Sequence, residues 1–368
     1  MAPPKKDLQS QLDDAVDLLR KKNAELVSAA KTIKSLRREN DTADAIRQEI
    51  FGLSSYQPIP VKWITGSAGK IGRRGCPITV WSDWHVGEQV NMGINKFNAK
   101  IARERALRLF DTTADLAFNH MGRAVTSYPG IIVCLGGDMI GGDIHEELAE
   151  TNDRTPHQAV NDLTDLLAGG IEYMATKFGQ VYVPCVVGNH GRSTKKPRYK
   201  GRVYTNYDWS VYCNLERAFR KEKHIKIDVP NSLDCHFNSY GIRYMLTHGD
   251  DLGVKGGDGI IGALGPIARG TIKVNNQMQH LGQDVDHIII CHWHQPLWLP
   301  SATVNNALKG PDEYSMFKLR APPSTPSQLL WFNHPEWGIT ARWEIFLEGK
   351  IKFGTTNAVW ASWQENAP

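Results

Sequence analysis

Short, almost wholly apolar runs recur along this chain. Between them lie longer stretches in which apolar side chains return every three or four positions. Pro77 to Trp81, Ile131 to Leu135, Val181 to Val187, Ile242 to Thr247 and His287 to Cys291 are the short runs, of a length that suits buried strands. Asn98 to Met121, Thr155 to Phe178 and Tyr207 to Lys221 carry the helical period. In the first of these it runs through Ile101, Leu107, Leu109, Phe110, Leu116 and Phe118. Strand, loop and helix in alternation predict a layered α/β domain. Gln328 to Phe353, rich in Trp, Phe and Ile, predicts antiparallel strands.

Residues 1–50 follow another pattern. They are charged and rich in helix formers, and Leu12, Leu19, Leu26 and Ile33 recur every seven positions. With these at d, the a positions are Val16, Asn23, Ala30 and Arg37. Such a seam with one Asn at a fixes register in short parallel coiled coils. The segment is therefore expected to form a coiled-coil helix and a homo-oligomer, the alternative being one amphipathic helix lying on its own domain. Pro58, Pro60, Gly66, Gly69 and Gly72 make 51–75 a linker. The division expected is 1–50 coiled coil, 51–75 linker and 76–368 catalytic domain, the last with a strand-rich extension over 300–368.

Composition narrows the function classes. Of 368 residues, 41% are hydrophobic and 22% charged, which excludes a mostly disordered chain. The net charge of +4 is too mild to identify a polyanion partner, so the distribution of charge must decide. No apolar run approaches the roughly 18 residues of a membrane span, and Met1 to Asp7 does not read as a signal peptide. The six cysteines form no Cys-x-x-Cys pair and several sit in apolar runs. Reduced, buried thiols and a cytoplasmic location are the expectation.

Polar clusters of metal-ligand type follow five of the apolar runs. They are Asp83-Trp84-His85, Gly137-Asp138, Gly188-Asn189-His190, Thr247-His248 and His292-Trp293-His294. In open α/β sheets ligands bind beyond the carboxyl ends of strands, so the five clusters can converge on one site. Any single cluster would read as solvated loop residues; five in order, each after an apolar strand, point to a metal centre. Asp83, His85, Asp138, Asn189, His248, His292 and His294 mix oxygen donors with imidazoles. That set suits Mn, Fe or Zn better than Ca or Mg. Seven ligands exceed one tetrahedral ion and suit two ions about 3.5 Å apart sharing a carboxylate. The spacing in Asp83-x-His85 and His292-x-His294 is expected to work because residues i and i+2 of a strand point the same way.

The ordered motifs from Trp81 to His294 resemble those of the calcineurin-like metallophosphoesterases. The resemblance implies a four-layer αββα sandwich and a site for two divalent ions, Mn2+ foremost with Fe2+, Zn2+ or Mg2+ as alternatives. It places Asp83, His85 and His294 on one ion and Asn189, His248 and His292 on the other, with Asp138 bridging. His190 corresponds to the family's catalytic histidine, which does not bind metal. The implied chemistry is attack on a phosphoester by a water that the two ions activate. The chain departs from the pattern at Gly141, where the family often has an acid that orients the catalytic histidine. Asp143 and Glu146 are candidate substitutes in that role. It departs also at Gly191, and at Cys291 in place of the usual Gly.

The run from Gly191 to Arg202 holds Arg192, Lys195, Lys196, Arg198, Lys200 and Arg202 with no acid. It begins beside His190, so Arg192, Lys195, Lys196, Arg198 and Lys200 are expected to bind flanking phosphates of an extended substrate. The other reading is a solvated surface run. The Gly-rich Gly253 to Gly270, with Lys255 and Arg269, is a second candidate rim loop. Within the superfamily the chain is similar in character to the DNA-repair-type and phage-encoded nucleases. A metal-dependent nucleic-acid phosphodiesterase, acting on DNA, is the first expectation. The alternatives are a phosphatase or phosphodiesterase for small nucleotides, and a non-catalytic nucleic-acid-binding or assembly module.

Overall fold

The computed structural model describes residues 75–120, 128–252 and 264–348, together with Leu19, Lys21, Lys22, Asn23, Glu25 and Ser28, which are helical. The rest of the heptad seam, the linker before Gly75 and residues 253–263 lie outside the described residues, and with them the expectation of self-association.

The elements are β1 (Cys76–Trp81), β2 (Val90–Asn91), β3 (Lys96–Phe97), α1 (Ala99–Asp115), β4 (Ile131–Leu135), α2 (Glu146–Thr151), α3 (Pro156–Phe178) and β5 (Val181–Pro184). They continue as α4 (Tyr207–Phe219), β6 (Ile225–Asp228), β7 (Asp234–Ser239), β8 (Ile242–Thr247), α5 (Leu264–His280) and β9 (His287–Ile290). The last are β10 (Leu297–Trp298), β11 (Ala302–Val304), β12 (Ser327–His334) and β13 (Gly338–Phe346). The protein is of the α/β class, with two large sheets. One has the order β13-β12-β1-β4-β5-β6 and the other β10-β11-β9-β8-β7. β1, β4, β5 and β6 run parallel, as do β8, β9 and β11. β12 and β13 extend the first sheet in antiparallel register.

The apolar runs are continuous because both faces of these strands are buried. Alternation along β4 divides its side chains between two cores. Ile131, Val133 and Leu135 join a cluster with Leu109 and Phe110 of α1, Leu163 and Leu167 of α3 and Val211 of α4. Ile132 and Cys134 join Ile78 and Val80 of β1 and meet Phe237, Tyr244, Leu246 and Ile289 of the second sheet. The outer side of the second sheet, at Met245, Ile288 and Ile290, packs on Ile267, Val274 and Met278 of α5. Each fully buried Ile or Leu contributes roughly 1.5–3 kcal/mol, so register on these strands is strongly fixed.

Local signals set the element ends. Asn98 caps α1 by accepting from Ile101 N at 3.0 Å. Thr155 and Gln158 form a reciprocal capping box on α3, with Pro156 following the cap. The antiparallel pair at the C-terminal end was expected and is present as β12 and β13. Among the strands of four residues or more, β6 and β7 went unanticipated; they are edge strands of the two sheets. Exposed Lys226 and His236 interrupt their apolar pattern, as one-sided burial at an edge allows. The glycine-rich segment is corrected in part: Leu264–Gly270 opens α5, whose glycines disguise its period, and does not form a rim loop. Among the described residues no helix is long and apolar enough to cross a membrane. All six cysteines are free thiols and five are buried.

Candidate metal centre

The five polar clusters sit where β1, β4, β5, β8 and β9 end, so both sheets contribute. Two compact groups result. Asp83, His85 and His294 form one, and Asp138, His248 and His292 the other, with candidate ligand atoms within 4.8 Å of one another in each. Asn189 joins the second group through Oδ1, 3.2 Å from His248 Nε2. His190 stands between the groups: its backbone N–H donates to Asp138 Oδ1 at 2.6 Å, and its ring lies 4.6 Å from that of His85.

The strand argument for the i, i+2 spacing does not hold. β1 stops at Trp81 and β9 at Ile290, so all four residues lie beyond a strand. What aims them is a left-handed backbone, with φ of 55° at Asp83, 48° at His85, 70° at His292 and 52° at His294. Asp138 shares it at 49°. Non-glycine residues enter this region at a cost of order 1 kcal/mol or more each, and such strain gathers at functional sites. Backbone bonds hold the turns: Asp83 N donates to Gly137 O and His85 N to Asp138 O, each at 3.0 Å. The loops after β1 and β4 are thereby locked together. Leu308 N donates to Asp83 O at 3.1 Å from the segment after β11.

Below the ligands lies a layer of buried polar groups. Ser82 Oγ donates to Asp83 Oδ2 at 2.5 Å and accepts from Asn305 Nδ2 at 2.9 Å, while Gln328 Oε1 accepts from Ser82 N at 2.9 Å. His248 Nδ1 meets Gly136 O at 2.8 Å, which turns Nε2 toward Asp138 Oδ2 at 3.0 Å. Asp208, fully buried near the start of α4, accepts from Asp138 N and Gly188 N at 3.0 Å and from Ile140 N at 3.3 Å. It ties two of the ligand loops together. Close approach explains Gly188, where a Cβ would lie 2.1 Å from Asp138 Oδ1.

Electrostatics suit a cation. Asp83, His85, Asp138 and His248 are each 2% exposed or less. Burial, then the Lys309 ammonium, holds the His85 imidazole well below the usual histidine range. Burial likewise lowers His190 and His292 to about 4, so all three rings keep a lone pair at neutral pH. His248 goes the other way. Burial opposes its charge, but Asp138 raises it to about 10, and His248 and His190 hold the Asp138 carboxyl low against burial. Ligation needs the neutral ring, so a metal ion would bind there in exchange for a proton. His85 Nε2 and His294 Nε2 face each other at 3.4 Å, and His294 Nε2 lies 3.2 Å from Asp83 Oδ1. Imidazole lone pairs and carboxylate oxygens aimed at one point are a donor set for divalent transition metals.

The expected support for His190 takes another form. Asp143 and Glu146 are exposed, and His190 Nδ1 meets the backbone carbonyl of Gly141 at 3.1 Å. The main chain at 141 does what a carboxylate was expected to do. The basic run also divides. Arg192 is buried and donates to Asn189 O at 2.7 Å and Thr194 O at 3.1 Å, so its guanidinium fastens the loop instead of facing solvent. Arg202 pairs with Asp250 and Asp251, which follow His248 by two and three positions. Between these pins Lys195, Lys196, Arg198, Tyr199 and Lys200 are exposed. Lys195 comes no nearer than 3.8 Å to the equally exposed Glu146.

Sequence reasoning passed over Asp208, Glu88 and Lys309. Asp208 lies outside any ligand motif, and only its place two residues after the capping Asn206 hinted at a turn role. Glu88 follows His85 by three residues and carried a readable signal, an acid close to a ligand. Burial raises its carboxyl and Lys309 opposes that rise. No family model matches the chain, and no curated protein matches it.

Proposed function

We propose that this chain is a metal-dependent phosphodiesterase of the calcineurin-like type, built as a four-layer αββα sandwich and acting on nucleic acid, DNA foremost. The observation that carries the reading is the pair of buried ligand groups, Asp83–His85–His294 and Asp138–His248–His292, with Asn189 and His190 between strand ends. Two divalent ions, Mn2+ foremost, would supply an activated water and offset charge on the phosphoryl oxygens. Asp138 lies between the two groups, with one oxygen toward His248 and the other on the His190 N–H. His190 is held at Nδ1 by Gly141 O and presents Nε2 to the site, and burial keeps the free ring neutral. It would donate from Nε2 to a phosphate oxygen or leaving group as the imidazolium, taking up its proton with the incoming phosphate's negative charge. The exposed cations from Lys195 to Lys200 leave the same loop that carries Asn189 and His190. Phosphates remote from the reacting one would meet them.

The test is a comparison of substrates with manganese present. Labelled single- and double-stranded DNA, a mononucleotide and bis-p-nitrophenyl phosphate are offered to the full chain across a salt series. Hydrolysis of both diester classes, with a steep salt dependence on DNA alone, is the expected result. Turnover confined to the mononucleotide would move the substrate to small nucleotides. No turnover of any of them would remove the enzyme reading.

A further inference from the structure

The acid that the resemblance places at 141 is missing, and the space it would use is filled. A Cβ on Gly141 would lie 3.0 Å from the Glu88 Cβ and 3.2 Å from Glu88 N. Glu88 is 4% exposed, and its Oε2 lies 3.4 Å from His85 Nδ1. That contact is at the long end of hydrogen-bond range and needs only alignment to become one, and among the described residues His85 Nδ1 has no hydrogen-bond partner that competes with it. On the far side, Lys309 Nζ donates to the two Glu88 oxygens at 2.9 and 3.0 Å and to Asp312 Oδ2 at 2.6 Å. Lys309 is itself 2% exposed. Burying three ionised groups is unfavourable unless their mutual bonds are good. Two carboxylates and one ammonium leave one net negative charge behind the first ligand group. Behind the second group the corresponding trio is Arg202 with Asp250 and Asp251, but there the ligand imidazole is held differently: His248 Nδ1 rests on the Gly136 carbonyl and not on a carboxylate.

We infer that Glu88, fixed by Lys309, is the acceptor for the His85 Nδ1–H, and that this pair sets the cation affinity of the Asp83–His85–His294 group selectively. An N–H at Nδ1 leaves the Nε2 lone pair directed at His294 and Asp83, the tautomer that ligation requires. Glu88 is thus a positioning residue, acting on the metal through His85. The inference rests on the two-cation reading of the site.

The experiment is manganese titration of the full chain by calorimetry, with ¹⁵N imidazole spectra of the metal-free protein. Wild type should show two ions per chain and His85 as the Nδ1–H tautomer. In Glu88→Gln, Lys309 can only donate, so it draws the amide oxygen and leaves the amide N–H₂ toward His85. One of the two affinities should then fall about 10–100-fold while the other holds, and the His85 tautomer should shift. Glu88→Asp keeps the charge for Lys309 but withdraws it from His85, and should show the same selective loss with less effect on melting temperature. It covers the case of a Glu88→Gln chain that does not fold. Equal weakening of both ions would make Glu88 a general structural residue and overturn the inference, as would two unchanged affinities. A wild-type chain that binds no pair of ions would overturn the two-cation reading first and this inference with it.

Discussion

The floor of the site and its basic rim are built on opposite principles. On the floor, Asp83, His85, Asp138 and His248 are withdrawn from solvent and held by Gly136, Gly137, Asp208 and Ser82. On the rim, Lys195 to Lys200 stand in solvent, and Lys196, Arg198 and Lys200 have no ion pair among the described residues. Buried charges are little screened by salt, while exposed ones are screened within about 8 Å at physiological ionic strength. On the proposed phosphodiesterase reading, the floor would perform one fixed task on one phosphate. The rim would give a loose, salt-sensitive hold on a longer substrate. A change to the floor should act on every substrate, and a change to the rim only on long ones.

The largest effect should follow from Asp138→Ala. It removes the carboxylate of the second ligand group and leaves His248 without its partner at 3.0 Å. Hydrolysis of DNA and of bis-p-nitrophenyl phosphate should both fall at least about 10³-fold. Full activity on either substrate would break the assignment of the floor.

Asp208→Ala comes next. It strands the N–H groups of Asp138, Gly188 and Ile140, at the cost usual for buried donors left unpaired, about 1–3 kcal/mol each. Relief of a buried carboxyl whose pKa is raised to about 7 offsets part of that. A net loss of about 2–4 kcal/mol in urea unfolding is expected, with equal activity losses on short and long substrates. A loss confined to DNA would place Asp208 with the rim.

Removing metal is a milder probe of the same floor. A ligand that binds only the folded chain stabilises it by about 2.7 kcal/mol at one hundred times its Kd. Chelation of manganese-loaded protein should lower the melting temperature, and added manganese should restore it. A chain stripped of its exposed rim cations should respond as wild type does.

Much of the floor was legible in the sequence because strand ends and ligand types are local features. The runs at Ile131 to Leu135 and Ile242 to Thr247 are strands with the bounds expected, and the clusters after them meet. The reason for Asp83-x-His85 was not legible, since left-handed φ at Asp83 and His85 comes from bonds to Gly137 and Asp138, more than fifty positions away. Lys309 was hidden for the same reason. Its partner Glu88 is 221 residues distant, and a lone Lys reads as surface until its surroundings are known. Arg192 misled in the other direction: within a basic run it looks like its neighbours, yet the turn after His190 folds its guanidinium onto Asn189 O and Thr194 O.

The smallest effect on the chemistry, and the sharpest on substrate choice, belongs to the rim. Replacing Lys195, Lys196, Arg198 and Lys200 with Ser leaves both pins of the loop in place, Arg192 on Asn189 O and Arg202 on Asp250 and Asp251. The loop keeps its anchorage, and the floor keeps its ligands. Each phosphate that the rim no longer neutralises should reduce the slope of log K against log salt by about 0.9 on duplex DNA. Together the four replacements should weaken DNA cleavage roughly tenfold to a hundredfold at moderate salt, while bis-p-nitrophenyl phosphate, which has no flanking phosphate, is turned over as before. Equal losses on both substrates would show that the exposed cations support the floor, and the contrast between the two regions would fail. No loss on either would leave the run as solvated surface, and the substrate would then be sought among small nucleotides.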